Sequence, residues 1–234
     1  VNMTPLKVAA LAVVSNELLK YSDPSAEMLV RDALVQASSQ RVDQTFISTA
    51  AAVSGVSPAG ILNGVSPISS SGSDIAGLIE DIKALYAPFI AANNASGLSF
   101  VTTESLGKAI SLMQTPLGAF QFPGIGANGG ALLGDPVVTG GNVPAGALVL
   151  LKPSDIYRIG DTGIEVSISR EAYIEQDTVP TGATDTPTAA SANGTSMFQE
   201  ESTAIKVVRP INFAKRRASA VQWINNADYG AVTS

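Results

Sequence analysis

The chain has 234 residues, with 14 Lys and Arg against 20 Asp and Glu for a formal net charge of −6, and it contains neither cysteine nor histidine. These absences exclude disulfides, thiolate metal sites and cysteine nucleophiles, and they remove the commonest general base and metal ligand. The acidic balance argues against a dedicated nucleic-acid reader, and no apolar run reaches the roughly 18 residues that a membrane span requires. We therefore expect no enzyme, with no catalytic, cofactor-binding or metal-binding residues.

The first part of the chain is predicted to form a buried strand and then a long helix. The apolar run from Leu6 to Val14 indicates the strand, and a short helical turn follows, ending near Tyr21. Asp23 and Pro24 are favoured at the N-cap and first position of a helix, which we expect to run to Ile47. Its apolar residues fall on two faces, one with Ala26, Val30, Ala33 and Ala37 and the other with Met28, Val35, Val42 and Phe46. Such a helix has to contact two surfaces.

A polar connection rich in glycine and proline, from Thr49 to Gly72, is predicted to precede a second helix. The pair Ser73–Asp74 caps this helix, and Pro88 is expected to end or kink it. The apolar stripe of the helix consists of Ile75, Leu78, Ile79, Ile82, Leu85, Tyr86 and Phe89. A strand from Leu98 to Val101 and a helix from Thr103 to Met113 follow.

The second half of the chain is predicted to be rich in strands. Two apolar strands lie near Ala131 to Val138 and Ala147 to Leu151, and a last strand from Ser219 to Ile224 carries the single tryptophan, Trp223. The stretch from Thr178 to Gly194 has almost no large apolar residues that could offset the entropy of ordering it, so we expect a mobile loop.

Two segments with alternating apolar and polar residues are predicted to pair as a long antiparallel hairpin. The first alternates Ile164, Val166 and Ile168 with Glu165, Ser167 and Ser169, which is typical of a strand with one solvated face. The second alternates Ile205, Val207, Ile211 and Phe213 with Lys206, Asn212 and Ala214.

One stretch matches a nucleotide-binding fingerprint. Gly124, Gly126 and Gly129 have the spacing of the dinucleotide motif, whose glycines let the backbone and a helix N-terminus approach a pyrophosphate. The mechanism requires a preceding strand and a following helix, and the flanking sequence predicts neither. We therefore interpret these glycines as a structural turn.

Three charged clusters are assigned to the solvated surface. The carboxylate pairs Glu80–Asp81 and Glu200–Glu201 lack the alternating oxygen ligands of a calcium loop, and acidic residues are seldom buried. The basic run Lys215 to Arg217 is expected to be surface as well, and nonspecific electrostatic contact with DNA is the most that it would provide.

Several segments share their order and spacing with one structural family. They are the run Ala10 to Leu19, in which apolar residues precede serine, a carboxylate and two leucines, the long helix Asp23 to Ile47, the strand Gly134 to Val138 with its Gly-x-Pro-Val pattern, and the paired segments Asp161 to Arg170 and Phe198 to Arg209. In these features nearly the whole chain resembles the Hong Kong 97-like major capsid proteins of tailed bacteriophages.

The resemblance implies an α+β, Hong Kong 97-like fold with two domains. A peripheral domain, residues 1–50 and 161–212, would hold the long spine helix and the antiparallel hairpin. An axial α/β-layered domain, residues 51–160 and 213–234, would lie near the capsomer centre. The implied function is that of a structural major capsid subunit of a tailed phage or prophage, which assembles into pentamers and hexamers of an icosahedral shell around double-stranded DNA.

The resemblance also implies partners and a location. The chain would bind copies of itself, with a portal, a scaffold and a maturation protease as further partners, and it would contact packaged DNA nonspecifically and no membrane. Its location would be the virion capsid, assembled in the cytoplasm of the bacterial host. The alternatives are an encapsulin-type compartment shell, which shares the fold but encloses an enzyme, and an unrelated enzyme that uses carboxylates.

Two departures from the family pattern limit what carries over. The family's N-terminal arm and extended loop would precede Val1, which suggests a processed or trimmed chain, and we expect the 234-residue chain alone to be a monomer or small oligomer. Some relatives join subunits by a lysine–asparagine isopeptide bond that a glutamate promotes. Alignment on Phe198 places Glu201 at the asparagine position and Val208 at the glutamate position, so we expect no covalent cross-link through that site.

Overall fold

The computed structural model describes residues 3, 6–21, 25–160, 163–175 and 194–230. The chain divides into two compact units. The larger unit comprises Val1–Leu6, Val42–Gly160 and Ile211–Ser234, and the smaller unit comprises Lys7–Arg41 and Asp161–Pro210. The predicted axial and peripheral domains are roles in an assembly, and their assignment to these two units stays a proposal.

The elements of the described residues, in chain order, are β1 (Lys7–Ser15), α1 (Asn16–Tyr21), α2 (Ser25–Phe46), β2 (Ile68–Ser69), α3 (Ile75–Ala91), β3 (Ser99–Thr102), α4 (Glu104–Ser111), β4 (Ile125–Gly126), β5 (Gly129–Leu132), β6 (Asp135–Thr139), β7 (Leu148–Leu151), β8 (Ile156–Ile159), β9 (Glu165–Ser169), β10 (Tyr173–Glu175), β11 (Gly194–Ser196), β12 (Ser202–Pro210), β13 (Asn212–Lys215) and β14 (Val221–Asn225). The predicted cap Asp23–Pro24 and all of the predicted loop Thr178–Gly194 except its last residue lie outside the described residues.

The smaller unit contains a three-stranded antiparallel sheet in the order β1-β12-β9. The predicted pairing of the two alternating segments is confirmed, since Ile205 of β12 lies opposite Ile168 of β9. The sheet is wider than a hairpin, however, because β1 pairs along the other edge of β12 and places Ala12 opposite the same Ile205. The central position of β12 explains why Ile205 is buried while Ile168, on the edge strand, is 52% exposed.

The predicted strand that continued from Ile205 to Phe213 is wrong in its second half. β12 ends at Pro210, and β13 begins at Asn212 and pairs antiparallel with β8 in the larger unit. Proline has no N–H to donate to a sheet ladder, so Pro210 is a natural place for the pairing to stop. Phe213 is buried in the larger unit, where it meets the ring of Phe46 edge to face at a centroid distance of 5.0 Å.

The predicted two apolar faces of α2 are only partly correct. Ala33 and Ala37 of the first face are exposed, and Met28 of the second face is exposed as well. The most deeply buried side chain between Met28 and Arg41 is that of Ser38, whose hydroxyl bonds to the carbonyl oxygen of Val35 at 2.8 Å. Ala33, Ala37 and Met28 are therefore not covered by other residues of the smaller unit.

The larger unit is built on a seven-stranded mixed sheet in the order β2-β14-β7-β3-β6-β5-β4. Strand β7 is buried on both faces. Leu148 and Leu150 pack into one core cluster with α3 and α4, and Val149 and Leu151 pack into a second cluster with the connection around Ile61. A central strand covered on both sides is expected to be continuously apolar, as this one is.

Helix α3 belongs to this unit, as predicted. The carboxylate of Asp74 caps it by accepting a 2.8 Å hydrogen bond from the backbone N–H of Gly77, as the sequence indicated. The helix does not end at Pro88, however, and continues to Ala91. The strand predicted over Ala131 to Val138 is in fact the hairpin of β5 and β6, with a tight turn at Leu133 and Gly134, whose φ angles are 54° and 93°.

Candidate interaction surfaces and polar sites

The glycine motif forms a β-hairpin. Gly126 lies opposite Gly129, and Ile125 lies opposite Gly130, so the fingerprint joins β4 to β5 and is followed by a strand. The structural turn predicted from the sequence is confirmed. Gly130 is required by space and conformation, because its φ is 143° and a Cβ atom there would lie 2.1 Å from the carbonyl oxygen of Gly124.

The assignment of the pair Glu80–Asp81 to a solvated face is wrong for Asp81. Glu80 is exposed, but Asp81 has no exposed surface. Its carboxylate accepts hydrogen bonds from the hydroxyl of Ser70 at 3.1 Å, from the backbone N–H of Ser71 at 3.0 Å and from the phenol of Tyr229. These donors offset the cost of removing a carboxylate from water.

The spacing of apolar residues along α3 indicated that Asp81 is buried. The interpretation of Glu80–Asp81 as a solvated pair missed this. Asp81 lies three residues after Leu78 and four before Leu85, so it shares the buried stripe of α3 with them. An acidic residue inside an apolar stripe indicates a buried partner. That partner is Tyr229, and the sequence around Tyr229 gives no indication of the contact.

A second phenol, that of the partly buried Tyr86, contacts a carboxylate in the larger unit. The hydroxyl of Tyr86 donates a 2.5 Å hydrogen bond to Asp135, and the ring packs edge to face on Phe100. Burial, and then the bond to Asp135, raise the pKa of Tyr86 above its ordinary value. The pKa of Tyr229 is likewise raised, first by burial and then by its bond to Asp81. Both phenols therefore stay protonated donors.

The other acidic pair and the aligned cross-link position lie in the smaller unit. Glu200 and Glu201 are exposed, as expected, and Glu201 adopts a left-handed φ of 46° in the turn that leads into β12. Its carbonyl oxygen accepts the backbone N–H of Asn16 at 2.8 Å. Val208 is half-buried on β12. The expectation that no cross-link forms through Glu201 and Val208 stays a prediction.

The basic run is less exposed than expected at its first residue. The ammonium group of Lys215 donates a 2.7 Å hydrogen bond to the carbonyl oxygen of Asn63, and burial lowers its pKa. Arg216 and Arg217 are exposed, and a guanidinium nitrogen of Arg216 lies 4.0 Å from the Asp155 carboxylate. Lys215 therefore stabilises the fold, and only the two arginines keep the predicted surface position.

Besides the exposed side chains of α2, two groups of exposed apolar side chains stand out, one on each unit. In the smaller unit, the β9 patch consists of Ile164 just before the edge strand β9 and of Val166 and Ile168 on it, which are 39%, 37% and 52% exposed. In the larger unit, the 112–120 tip carries Leu117, 97% exposed, and Phe120, 51% exposed. A contiguous exposed apolar patch is a candidate contact site with other molecules.

The 112–120 tip is an ordered turn and not a frayed segment. Gln114 and Phe120 form an antiparallel bridge, and the N–H of Thr115 donates to the carbonyl oxygen of Ala119 at 2.8 Å. An open groove of about 770 Å³ lies at its base, lined by Ile75, Ile79 and Met113 among others. The backbone therefore holds Leu117 outward at a defined position.

The described part of the chain offers neither a metal cluster nor a membrane span. No group of three or more acidic residues there could hold a metal ion. Within the same ranges, no helix combines the length and apolar character needed to cross a bilayer.

Comparison with protein families gives a match to the model of the "Phage capsid family" over residues 1–213. The chain belongs to the phage capsid family. The "Capsid polyprotein" of Pseudomonas phage PAJU2 is 44% identical to this family member over 236 residues, which cover 98% of this chain and 35% of the relative. The chain therefore spans about a third of that relative's length.

Solved structures of low sequence identity share the fold of this phage capsid family member. A structure described as the capsid of a native GTA particle has a TM-score of 0.63 at 16% identity, covering 95% of this chain and 73% of that one. A structure from Gordonia phage Cozz has a TM-score of 0.65 at 13% identity, covering 94% and 70%. One from Mycobacterium phage Bobi has a TM-score of 0.64 at 16% identity, covering 94% and 71%. The predicted α+β, Hong Kong 97-like fold is confirmed.

Proposed function

We propose that this chain is the structural major capsid subunit of a tailed phage or prophage. Copies of it associate into the pentamers and hexamers of an icosahedral shell that encloses double-stranded DNA. The observation that carries the proposal is the family match over residues 1–213, together with 44% identity to a phage capsid polyprotein over nearly the whole chain. An encapsulin-type shell would share the fold, but the sequence relatives do not favour it.

The exposed apolar surfaces support a role in assembly. The β9 patch and the 112–120 tip lie on different units, so one subunit has at least two surfaces for copies of itself. A stable interface buries roughly 1,000 Å² or more, and a closed shell repeats each contact many times. Individually modest contacts are therefore sufficient for a shell.

The polar sites support a structural role and not an enzymatic one. The chain lacks histidine and cysteine, and its buried carboxylate Asp81 is saturated by donors from the fold itself. Tyr86 is held as a protonated donor to Asp135. Groups that bond to one another in this way stabilise the fold and are not poised to act on a substrate.

The finer roles follow from the same proposal. The larger unit would act as the axial domain and the smaller unit as the peripheral domain with the spine helix α2. The subunit would be assembled in the host cytoplasm with a portal, a scaffold and a maturation protease, and would become part of the virion. Contact with packaged DNA would be nonspecific, with Arg216 and Arg217 as the exposed basic residues of the predicted run.

The proposal is tested with the full-length product of the gene that encodes this sequence. Light scattering and negative-stain microscopy of the purified protein should show closed shells of uniform size. A product that stays monomeric under all assembly conditions would contradict the proposal. Neighbouring genes provide a separate test, because terminase, portal and protease genes accompany a phage capsid gene, whereas a cargo-enzyme gene accompanies an encapsulin.

A further inference from the structure

The 112–120 tip of the larger unit holds one apolar side chain at its apex. Leu117 follows Pro116, whose ring fixes its own φ, and precedes Gly118, which has a φ of 81°. The N–H of Gly118 donates to the carbonyl oxygen of Thr115 at 2.8 Å, which closes the turn. Leu117 is therefore presented at a fixed position, and it is 97% exposed.

An apolar groove beside the tip has the chemistry to receive such a side chain. The groove is open, has a volume of about 770 Å³, and is lined by the first two turns of α3 and by the base of the tip. Ile75 and Ile79 of α3 and Met113 of the tip supply apolar lining. Among the described residues that line the groove, only Asp74 is charged, and its carboxylate already accepts the N–H of Gly77 as the helix cap.

The tip does not enter its own groove. The segment from Met113 to Pro116 forms part of the groove lining, and the bridge between Gln114 and Phe120 holds the two sides of the tip together beyond it. A side chain as exposed as that of Leu117 contacts almost nothing in its own chain. Leu117 can therefore enter a groove of this kind only on another molecule.

The pattern of charge favours a second copy of the chain as that molecule. The formal net charge is −6, so two copies repel each other at long range. No charged residue occurs in the sequence between Lys108 and Asp135, which leaves the whole tip neutral. Two copies can thus bring tip and groove together without placing like charges opposite each other, which would be costly at an interface.

The size of the contact indicates a neighbour that other contacts already hold in place. Burying one leucine side chain contributes about 1.5–3 kcal/mol. A stable interface between free proteins buries roughly 1,000 Å² or more, which one side chain in a groove does not supply. The contact therefore needs a partner at high effective concentration, and neighbouring copies in a shell provide one.

We propose that Leu117 of one subunit inserts into the groove lined by Ile75, Ile79 and Met113 on the next subunit. This inference rests on the proposed assembly function and names the surface that receives the tip. Because the tip apex and the groove are different surfaces of one subunit, the contact runs head to tail, and every copy both gives and receives it. Contacts of this type generate a closed ring when the rotation between copies closes, as in a pentamer or a hexamer.

Disulfide trapping tests the contact directly, because the chain has no cysteine of its own. Leu117→Cys places a thiol at the apex of the tip, and Ala76→Cys places one at an exposed position in the groove. The double variant is assembled as full-length product with an excess of wild-type subunits, so that shells form, and is then mildly oxidised. We expect subunits linked in pairs and longer series on a non-reducing gel, and monomers again after reduction.

Ala87→Cys is the matched control for the groove position. Ala87 is exposed on the same helix, eleven residues after Ala76, so it lies on nearly the same face about 16 Å farther along the axis. Since a disulfide requires Cα atoms within about 7 Å, Leu117→Cys combined with Ala87→Cys should give about tenfold less linked product. Leu117→Cys alone should give no linked series, because it links subunits only where two tips meet.

The outcomes separate this inference from the proposed function. Equal linking in the two pairs, linking by Leu117→Cys alone, or no linking in shells that form normally would overturn the inference and leave the proposed function in place. A disulfide formed within single subunits in dilute solution would also overturn it, because the tip would then reach its own groove. A wild-type full-length product that forms no shells would contradict the proposed function, and this inference with it.

Discussion

Asp81 joins the end of the 49–72 connection to the last part of the described chain. Its carboxylate receives bonds from Ser70, Ser71 and Tyr229, and it is wholly buried. In Asp81→Asn, an NH₂ group replaces one carboxylate oxygen. This new donor faces the O–H and N–H groups of Ser70, Ser71 and Tyr229, which are donors too. Since a hydrogen bond to a buried charged group contributes about 1.5–3 kcal/mol, we expect a loss of that size in the free energy of unfolding, measured by urea titration.

The adjacent residue of α3 provides the control for this substitution. Glu80→Gln makes the same chemical change at an exposed position and should leave the urea midpoint almost unchanged. Equal effects of the two substitutions would show that Asp81 has no special role.

From the raised pKa of the Tyr229 phenol we expect a loss of stability at high pH. Its pKa in the folded protein is raised above the ordinary value of 10.0 by burial and by Asp81, so the folded state holds the proton more tightly than the unfolded state. The stabilisation is fully present below pH 10 and is lost as the pH rises above the ordinary pKa. We expect the urea midpoint to fall above about pH 10, and to fall less steeply in Tyr229→Phe. Identical slopes would contradict this assignment.

At the scale of single residues, the sequence identified positions that depend on local geometry. The cap Asp74 and the motif glycines could be predicted because a helix start and a tight turn each require particular residues within a few positions. The partners of Asp81 and Lys215 could not be predicted. Tyr229 is 148 residues from Asp81, and Asn63 is 152 residues from Lys215, so only the tertiary fold brings them together.

The hairpin of β4 and β5 makes a prediction at the scale of elements. Gly130→Ala places a Cβ atom 2.1 Å from the carbonyl oxygen of Gly124 and forces a residue with a side chain to adopt a φ of 143°. Strained backbone and overpacking each cost about 1–3 kcal/mol, so we expect a clear drop in thermal midpoint. Gly141→Ala is the matched control, because a Cβ atom there meets nothing within 4 Å. A Gly130→Ala midpoint equal to that of wild type would contradict the structural interpretation of the motif.

Helices and strands with a regular pattern of apolar residues were predicted better than the pairing between strands. Helix α3 follows from an apolar stripe and a cap, and β9 and β12 follow from alternation. The third strand of that sheet, β1, was predicted as a strand but not as the partner of β12, because a run of apolar residues does not specify what it pairs with. The break after Pro210 was missed because alternation continues across it in the sequence.

At the scale of the whole molecule, the order of elements was more informative than any one motif. The strand, the long helix, the Gly-x-Pro-Val strand and the paired segments indicate the family from the amino-acid sequence alone, and the fold agrees with solved capsid structures at only 13–16% identity. Such agreement is expected when a fold depends on patterns of burial and turns, which many sequences satisfy. Surfaces for contact between subunits could not be derived in this way, because the pattern of one sequence does not specify what an exposed apolar side chain packs against.

Those surfaces give the prediction that tests assembly. Ile168→Ser in the β9 patch and Leu117→Ser at the 112–120 tip remove apolar side chains that are exposed within the subunit, so each variant should fold with a nearly unchanged circular-dichroism melting curve. Burying one such side chain at an interface contributes about 1.5–3 kcal/mol, and a shell repeats the loss at every copy. In the full-length gene product we therefore expect either substitution to reduce the yield of closed shells, seen by light scattering and microscopy, to below a tenth of wild type. Ile168→Val and Leu117→Met keep an apolar side chain at each position and should assemble. Normal shell yields from both serine variants would mean that these surfaces face solvent in the assembled particle.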